Sequence, residues 1–174
     1  MHILLRFANN TNKEASTYMV QLTQKERMLL EDQKKHEEMC VQKYQNYARQ
    51  AQDQQLKQLF NAYAQQEQQH LNSIDQMLAG RIPNTAQQQQ VAQAAQNVTG
   101  TAGTRSGPGN AQDAALLNDM LMTEKYISGS YDTAIFEFTD AQMRQALNHI
   151  QKEEQEHGEG IFNYMKSHGM YNAQ

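Results

Sequence analysis

Tyr63-Ala-Gln-Gln-Glu67-Gln-Gln-His70 and Ile150-Gln-Lys-Glu-Glu154-Gln-Glu-His157 carry one Glu-x-x-His motif twice, 87 positions apart (154 − 67). The spacing extends upstream. Glu37 and Glu124 are also 87 apart, and each lies 30 positions before the glutamate of its motif (67 − 37, 154 − 124). Six residues able to bind metal therefore repeat as a set: Glu37, Glu67 and His70, then Glu124, Glu154 and His157. One Glu from each of two helices, with a Glu-x-x-His from each of the other two, is the ligand pattern of a dinuclear carboxylate centre inside a four-helix bundle.

The pattern matters only if all six side chains face one interior, and the apolar residues around them have the required helical period. Leu30, Glu37, Cys40, Tyr44, Tyr47 and Ala51 follow one stripe, with Gln33 as a polar interruption. Leu56, Phe60, Tyr63, Glu67, His70, Ile74 and Met77 step by threes and fours, the signature of an amphipathic helix. The third stripe runs Leu117, Met120, Glu124, Ile127, Tyr131, Ala134 and Phe138. The fourth runs Met143, Leu147, Ile150, Glu154, His157, Ile161 and Met165. In each, the acidic or imidazole residues stand where core residues are expected.

Helix ends agree. Thr23 with Glu26 forms a capping-box pattern, and Asn110 with Asp113 is a weaker version at the equivalent place. Asp53 and Asp140, again 87 apart, are N-cap candidates at two tight reversals. Glu37 lies 16 residues before Asp53 and Glu67 lies 14 after it. At about 1.5 Å per residue these are heights of roughly 24 and 21 Å, level on antiparallel neighbours. The same arithmetic about Asp140 levels Glu124 with Glu154. The expected architecture is all-α: two helical hairpins forming an up-down four-helix bundle, with helices over about 24–51, 54–79, 112–138 and 141–168 in one domain, 22–171.

Burying four carboxylates and two imidazoles uncompensated costs several kcal/mol per charge. No Lys or Arg lies on the stripes near these levels, and Lys125, beside Glu124, points elsewhere on its helix. Two divalent cations would balance the four carboxylates. A single Glu-x-x-His is usually a solvated surface pair; two copies, each with its upstream Glu and each on a core face, favour a metal pair.

Composition narrows the class. The 174 residues suit one domain. A net charge of −4 and a pI near 5.8 give no basic footprint for nucleic acid. A mean hydropathy of −0.86 and the lack of a long apolar run argue against a membrane span. Met1 to Phe7 is too short an apolar run for a secretory signal, so synthesis inside the cell is expected. Residues 1–21 read as an arm of unassigned role. The lone cysteine, Cys40, precludes an intrachain disulfide or a centre of four thiolates. It matches Ile127 in the other repeat, which favours an ordinary buried thiol over a ligand.

Residues 80–110, rich in Gln, Ala, Thr and Gly, form a long connection between the hairpins. Spanning a 25-residue helix takes about 40 Å, and some 30 extended residues reach more than twice that. Gln87 to Gln96 suggests a helical turn or two, and Thr99 to Gly109 a flexible run. A single long crossover is the connectivity of ferritin-like bundles.

The second half also resembles a known family. Leu117-Asn-Asp-Met-Leu-Met-Thr-Glu-Lys-Tyr-Ile-Ser-Gly-Ser-Tyr131, Asp140-Ala-Gln-Met-Arg-Gln-Ala-Leu147, Glu153-Glu-Gln-Glu-His157, Ile161-Phe-Asn-Tyr-Met165 and His168-Gly-Met-Tyr171 resemble the spore coat protein F family of endospore-forming bacteria. The first hairpin looks like a diverged copy, Leu56-Lys57-Gln58 echoing Met143-Arg144-Gln145. The resemblance implies a ferritin-like fold related to rubrerythrin, residence in the spore coat, and other coat proteins as partners. Rubrerythrin carries a cysteine-paired electron-transfer module; this chain has no paired cysteines, so a reductant would come from elsewhere.

Two functional classes stay open. One is a coat-associated redox protein handling peroxide, oxygen or Fe(II), of ferroxidase, peroxidase or manganese-catalase type. The other is a purely structural coat protein whose bundle or metal site has no catalytic role. An oxygen-rich site with one imidazole per ion suits iron or manganese. The expected roles are bridging for Glu67 or Glu154 or both, and terminal for Glu37 and Glu124, with one histidine per ion. Ile127 stands where peroxidase-like relatives would have a further carboxylate, which weighs against that chemistry. Tyr44 and Tyr131 read first as core packing and second as hydrogen-bonding partners of the centre. His2, His36, His149 and His168 read as surface residues. The abundant exposed Gln, with Lys34, Lys35 or Lys166, could be cross-linked in a coat, although a solvated polar face is the simpler reading. The sequence leaves the oligomeric state open, a homo-oligomer included.

Overall fold

The computed structural model describes residues 19–84 and 110–171. The arm before residue 19, the 85–109 part of the connection and the last three residues lie outside it, and with them His2, Gln87 to Gln96 and Thr99 to Gly109. The described residues form an all-α four-helix bundle: α1 (Gln24–Gln50), α2 (Gln54–Leu78), α3 (Ala111–Glu137) and α4 (Ala141–Ser167). α1 pairs with α2 and α3 with α4 as helical hairpins, and α1 packs on α3 across the bundle.

Each helix begins where a side chain can satisfy its first orphan amides. Thr23 and Glu26 close a reciprocal capping box on α1. The Asp53 carboxylate accepts from the amides of Gln55 and Leu56, and Asp140 accepts from those of Gln142 and Met143. On α3 the exchange is between side chains on the return: Asn110 Oδ1 accepts from the Asp113 amide at 2.8 Å, and Asn110 Nδ2 donates to Asp113 Oδ2 at 2.8 Å. α2 and α4 end in Schellman motifs. The amides of Gly80 and Arg81 return to the carbonyls of Met77 and Gln76, and those of Gly169 and Met170 to Lys166 and Met165. Both glycines have positive φ. At Gly80 a side chain is doubly excluded, because a Cβ would lie 2.6 Å from the Val20 carbonyl oxygen.

Two acidic residues join the hairpins. The Glu26 carboxylate, besides capping α1, accepts from the Thr139 amide (2.8 Å) and hydroxyl (3.0 Å) in the α3–α4 turn. Asp113 accepts from the amides of Gln52 (2.9 Å) and Asp53 (3.0 Å) in the α1–α2 turn. Both pairs are related by the 87-residue repeat. These contacts set the start of α1 beside the end of α3, and the start of α3 beside the end of α1. α2 and α3 are consequently parallel, and the end of α2 and the start of α3 lie at opposite ends of the bundle.

The core is divided in two. One cluster, around Tyr44, Phe60, Met120 and Met165, fills the end with the α1–α2 turn. The other, around Leu30, Met77, Tyr131 and Met143, fills the opposite end. Between them lies a layer of buried acidic and imidazole side chains.

Candidate metal centre

Glu37, Glu67, His70, Glu124, Glu154 and His157 all point into that middle layer, each no more than 1 % exposed. Glu67 and His70, three apart on α2, share one helix face, as do Glu154 and His157 on α4. The six form two overlapping groups whose ligand atoms lie within 4.8 Å of one another: Glu37, Glu67, His70 and Glu154, then Glu67, Glu124, Glu154 and His157. Glu67 and Glu154 belong to both groups; Glu37 and Glu124 each belong to one.

Distances to the imidazoles show how the shared carboxylates divide. His70 Nδ1 lies 2.8 Å from Glu154 Oε1, 3.4 Å from Glu67 Oε2 and 3.7 Å from Glu37 Oε2. His157 Nδ1 lies 2.9 Å from Glu67 Oε1, and 3.8 Å from both Glu124 Oε2 and Glu154 Oε2. Glu67 and Glu154 thus each turn one oxygen to either group. The two rings are stacked, with centroids 5.7 Å apart.

The outer oxygens of Glu37 and Glu124 are held from the opposite hairpin. Tyr131 donates its hydroxyl proton to Glu37 Oε1, and Tyr44 donates to Glu124 Oε1. Both tyrosines are fully buried. They pack in the core, the first expectation, and also hydrogen-bond the centre, the second. Burial and the adjoining carboxylate charge push both phenols well above the usual range, so they remain donors.

Inward-facing atoms lack this satisfaction. Glu37 Oε2, Glu124 Oε2, both oxygens of Glu67 and Glu154, and Nδ1 of both histidines are buried without a well-directed hydrogen bond, the approaches of 2.8 and 2.9 Å between imidazole and carboxylate being ion-pair contacts of poor hydrogen-bond angle. Buried polar atoms are nearly always paired; here the unpaired ones converge on two points. The surroundings offer no fixed cation, since no Lys or Arg is buried among the described residues. Burial, followed by the charge of Glu154, pushes Glu37 and Glu124 well above the usual carboxylate range. Although burial opposes it, Glu154 holds His70 well above the ordinary imidazole value, and Glu67 does the same for His157. Protons would have to stand in for the missing positive charge. The donor set, three carboxylates and one imidazole in each group, fits a pair of divalent ions of the iron or manganese kind.

One functional residue escaped the sequence reading. Glu153, 3 % exposed, meets His70 Nε2 at 2.9 Å. It fixes the ring so that Nδ1 faces the centre, the usual way a carboxylate orients a ligating histidine. Its signal was an acidic residue immediately before a ligand, on a helix whose core stripe did not include it. The 87-residue counterpart of Glu153 is Gln66, buried on α2, so the two imidazoles do not have equivalent support. Burial raises the Glu153 pKa, but the hydrogen bond and charge of His70 outweigh it and leave the carboxyl below its ordinary value.

The remaining histidines correct the surface reading. His36 is half-buried, with Nδ1 3.3 Å from Ser130 Oγ and its ring edge-on to Tyr126. His149 is also half-buried, its Nε2 3.5 Å from Glu153 Oε2. His168 is partly buried and stacks on Tyr164. Cys40 is a buried free thiol outside both ligand groups. No described helix is long and apolar enough to cross a membrane.

Fold and site together define an all-α four-helix bundle with a buried carboxylate and histidine centre built from two repeats. Residues 112–174 match the model of the Coat F domain, so the second hairpin is similar to that domain. The match covers α3 and α4 and stops short of the first hairpin. Neither the curated proteins nor the solved structures contain a match.

Proposed function

We propose that this is a ferritin-like protein of the spore coat whose bundle holds two iron or manganese ions and handles peroxide, oxygen or Fe(II). The observation that carries the reading is the convergence of unpaired, buried ligand atoms into two groups sharing Glu67 and Glu154. In this reading Glu67 and Glu154 would be shared between the ions, Glu37 and Glu124 would each hold one, and His70 and His157 would serve one ion each. The metal pair would supply reversible electron transfer. The protein's own part is to keep the centre dry between two apolar clusters and to orient His70 through Glu153. Tyr44 and Tyr131 hold the outer carboxylate oxygens, leaving the inner ones free to bind. Four protein ligands per ion leave coordination positions for a small molecule.

Coat localisation and other coat proteins as partners follow, as proposals, from the family of the second hairpin. Closure of the centre favours a second reading: with every ligand side chain at most 1 % exposed, the ions could serve only to neutralise and rigidify the core. Metal content per chain, measured by plasma mass spectrometry on protein purified without chelators, separates these readings when followed by peroxide addition. Two iron or manganese ions with peroxide consumption support the redox protein; two ions and no consumption of peroxide, oxygen or Fe(II) leave the structural one. No bound metal after anaerobic reconstitution ends both metal-based readings and leaves a structural coat protein on this scaffold.

A further inference from the structure

The repeat makes the ligand set nearly symmetric, but the ground outside it is not. Between α3 and α4 a cavity of about 480 Å³ runs inward to Glu124 and Glu154. Its walls include Leu121, Gly158 and Phe162, with Lys125 and Glu159 also on its lining. Gly158 sits in the middle of α4, where glycine is a poor helix former. A Cβ there would find only ordinary contacts, 3.8 Å from Leu121 Cδ1 and 4.0 Å from Glu124 Cβ. Packing of the helices therefore does not require glycine at this position. What its missing side chain leaves open is the space above Glu124.

Subtracting 87 gives the matching positions on the first hairpin. Gly158 corresponds to Leu71, Leu121 to Lys34 and Phe162 to Asp75. At these positions Leu71 supplies a full side chain, and Lys34 Nζ bonds Asp75 Oδ1 at 2.7 Å, tying α1 to α2. Beside Glu37 these positions carry a leucine and an ion pair across the helices; beside Glu124 they leave a groove that stops at the buried carboxylate.

We infer that the groove between α3 and α4 is the route by which small oxygen- or nitrogen-donor molecules reach the centre, arriving at the group formed by Glu124, Glu154 and His157, with Gly158 setting its width. The inference rests on the metal-centre reading for what the molecule would bind, but not for where it enters. Entry on this side brings the ligand to the histidine that lacks the Glu153 support.

Two measurements separate the route from the centre. The first uses metal-free protein and trimethyloxonium ion, which methylates accessible carboxylates, with peptide mass spectrometry locating the added mass. Glu37 and Glu124 are equally buried at rest, at 0 % and 1 % exposure, so static exposure alone gives them equal rates. The route requires Glu124 to be modified several-fold faster than Glu37, and Gly158→Leu to abolish the difference. Leu71→Ala should raise the Glu37 rate. The second adds azide to cobalt-loaded protein and follows the visible spectrum; Gly158→Leu should keep the metal stoichiometry and bind azide more slowly. Circular dichroism checks the fold, and Gly158→Ala, whose added methyl group fits, should show the same changes in weaker form. Equal rates at Glu37 and Glu124 in the unmodified protein would overturn the route whatever the metal content. Failure to load cobalt would instead strike at the metal centre and leave the labelling result to decide the route.

Discussion

Tyr44 on α1 donates its hydroxyl proton to Glu124 on α3, and the repeat returns the contact, Tyr131 on α3 donating to Glu37 on α1. Each hairpin thereby fixes a buried carboxylate of the other, so the layer is a product of hairpin association and neither half completes it alone. Replacing either tyrosine by Phe removes the donor and leaves a buried carboxylate oxygen without its partner. A loss of about 1–3 kcal/mol is expected for each, read from urea denaturation of metal-free protein. An unchanged midpoint in both variants would show that these bonds carry no net stability.

Glu67→Ala combined with Glu154→Ala removes the two carboxylates common to both groups. Metal binding should be abolished while the helices persist. The metal-free double variant should be less stable than the parent, because Glu154 and Glu67 are the charge partners of His70 and His157, and removing one member of a buried pair typically costs about 3–5 kcal/mol. Full metal stoichiometry in this variant would refute the proposed ligands.

Glu153→Gln tests the inequivalence of the two imidazoles. Loss of a carboxylate behind a ligating histidine typically weakens metal affinity by about 10–100-fold. Since Glu153 bonds His70 alone of the two proposed ligand histidines and its counterpart is Gln66, one equivalent of metal should weaken and the other should hold. Titration with a competing chelator should then resolve two steps; parallel weakening of both equivalents would argue against this division.

Acid should loosen the junction between hairpins. Burial raises the pKa of Glu26, but hydrogen bonds from Thr139 and Thr23 outweigh it and place the carboxyl below its ordinary value. A folded pKa beneath the unfolded one gives stability that is complete above the unfolded value, about 4.3, and is lost as pH falls through the folded value. Glu26→Gln should therefore cost stability at pH 7, of order 1.5–3 kcal/mol for hydrogen bonds to a charged group, and flatten the fall in stability below pH 4–5. Thermal melts of parent and variant from pH 3 to 7 provide the comparison, and parallel curves would remove Glu26 from the account.

Gly158→Ala should stabilise the fold. The methyl group meets no contact closer than 3.8 Å, and Ala gains about 1 kcal/mol over Gly inside a helix. A lower denaturation midpoint would mean that the α3–α4 crossing is tighter there than its geometry indicates.

The sequence determined the helices and the inward face of each. Periods of three and four cannot bury an apolar stripe except as helices, and Thr23, Asp53, Asn110 and Asp140 mark their starts because a cap acts on amides two or three residues away. It also singled out Glu37, Glu67, His70, Glu124, Glu154 and His157, since acidic and imidazole groups on a core face need compensation and an 87-residue repeat makes coincidence untenable. All of that is local, or periodic, and so legible along the chain. Contacts across the bundle were decided by tertiary structure. Glu26 and Asp113 each have a second partner in the opposite hairpin's turn, which no spacing along one helix encodes. Glu153 lies off the α4 stripe, yet meets His70 because α2 and α4 bring the two residues together. His36 is half-buried for the same reason, lying at the margin of α1 against Tyr126 and Ser130 of α3. The groove beside Gly158 and the corresponding place beside Leu71 differ by only a few side chains in sequence. Which of those side chains leave space depends on how two helices pack, and packing is settled only when the whole bundle assembles.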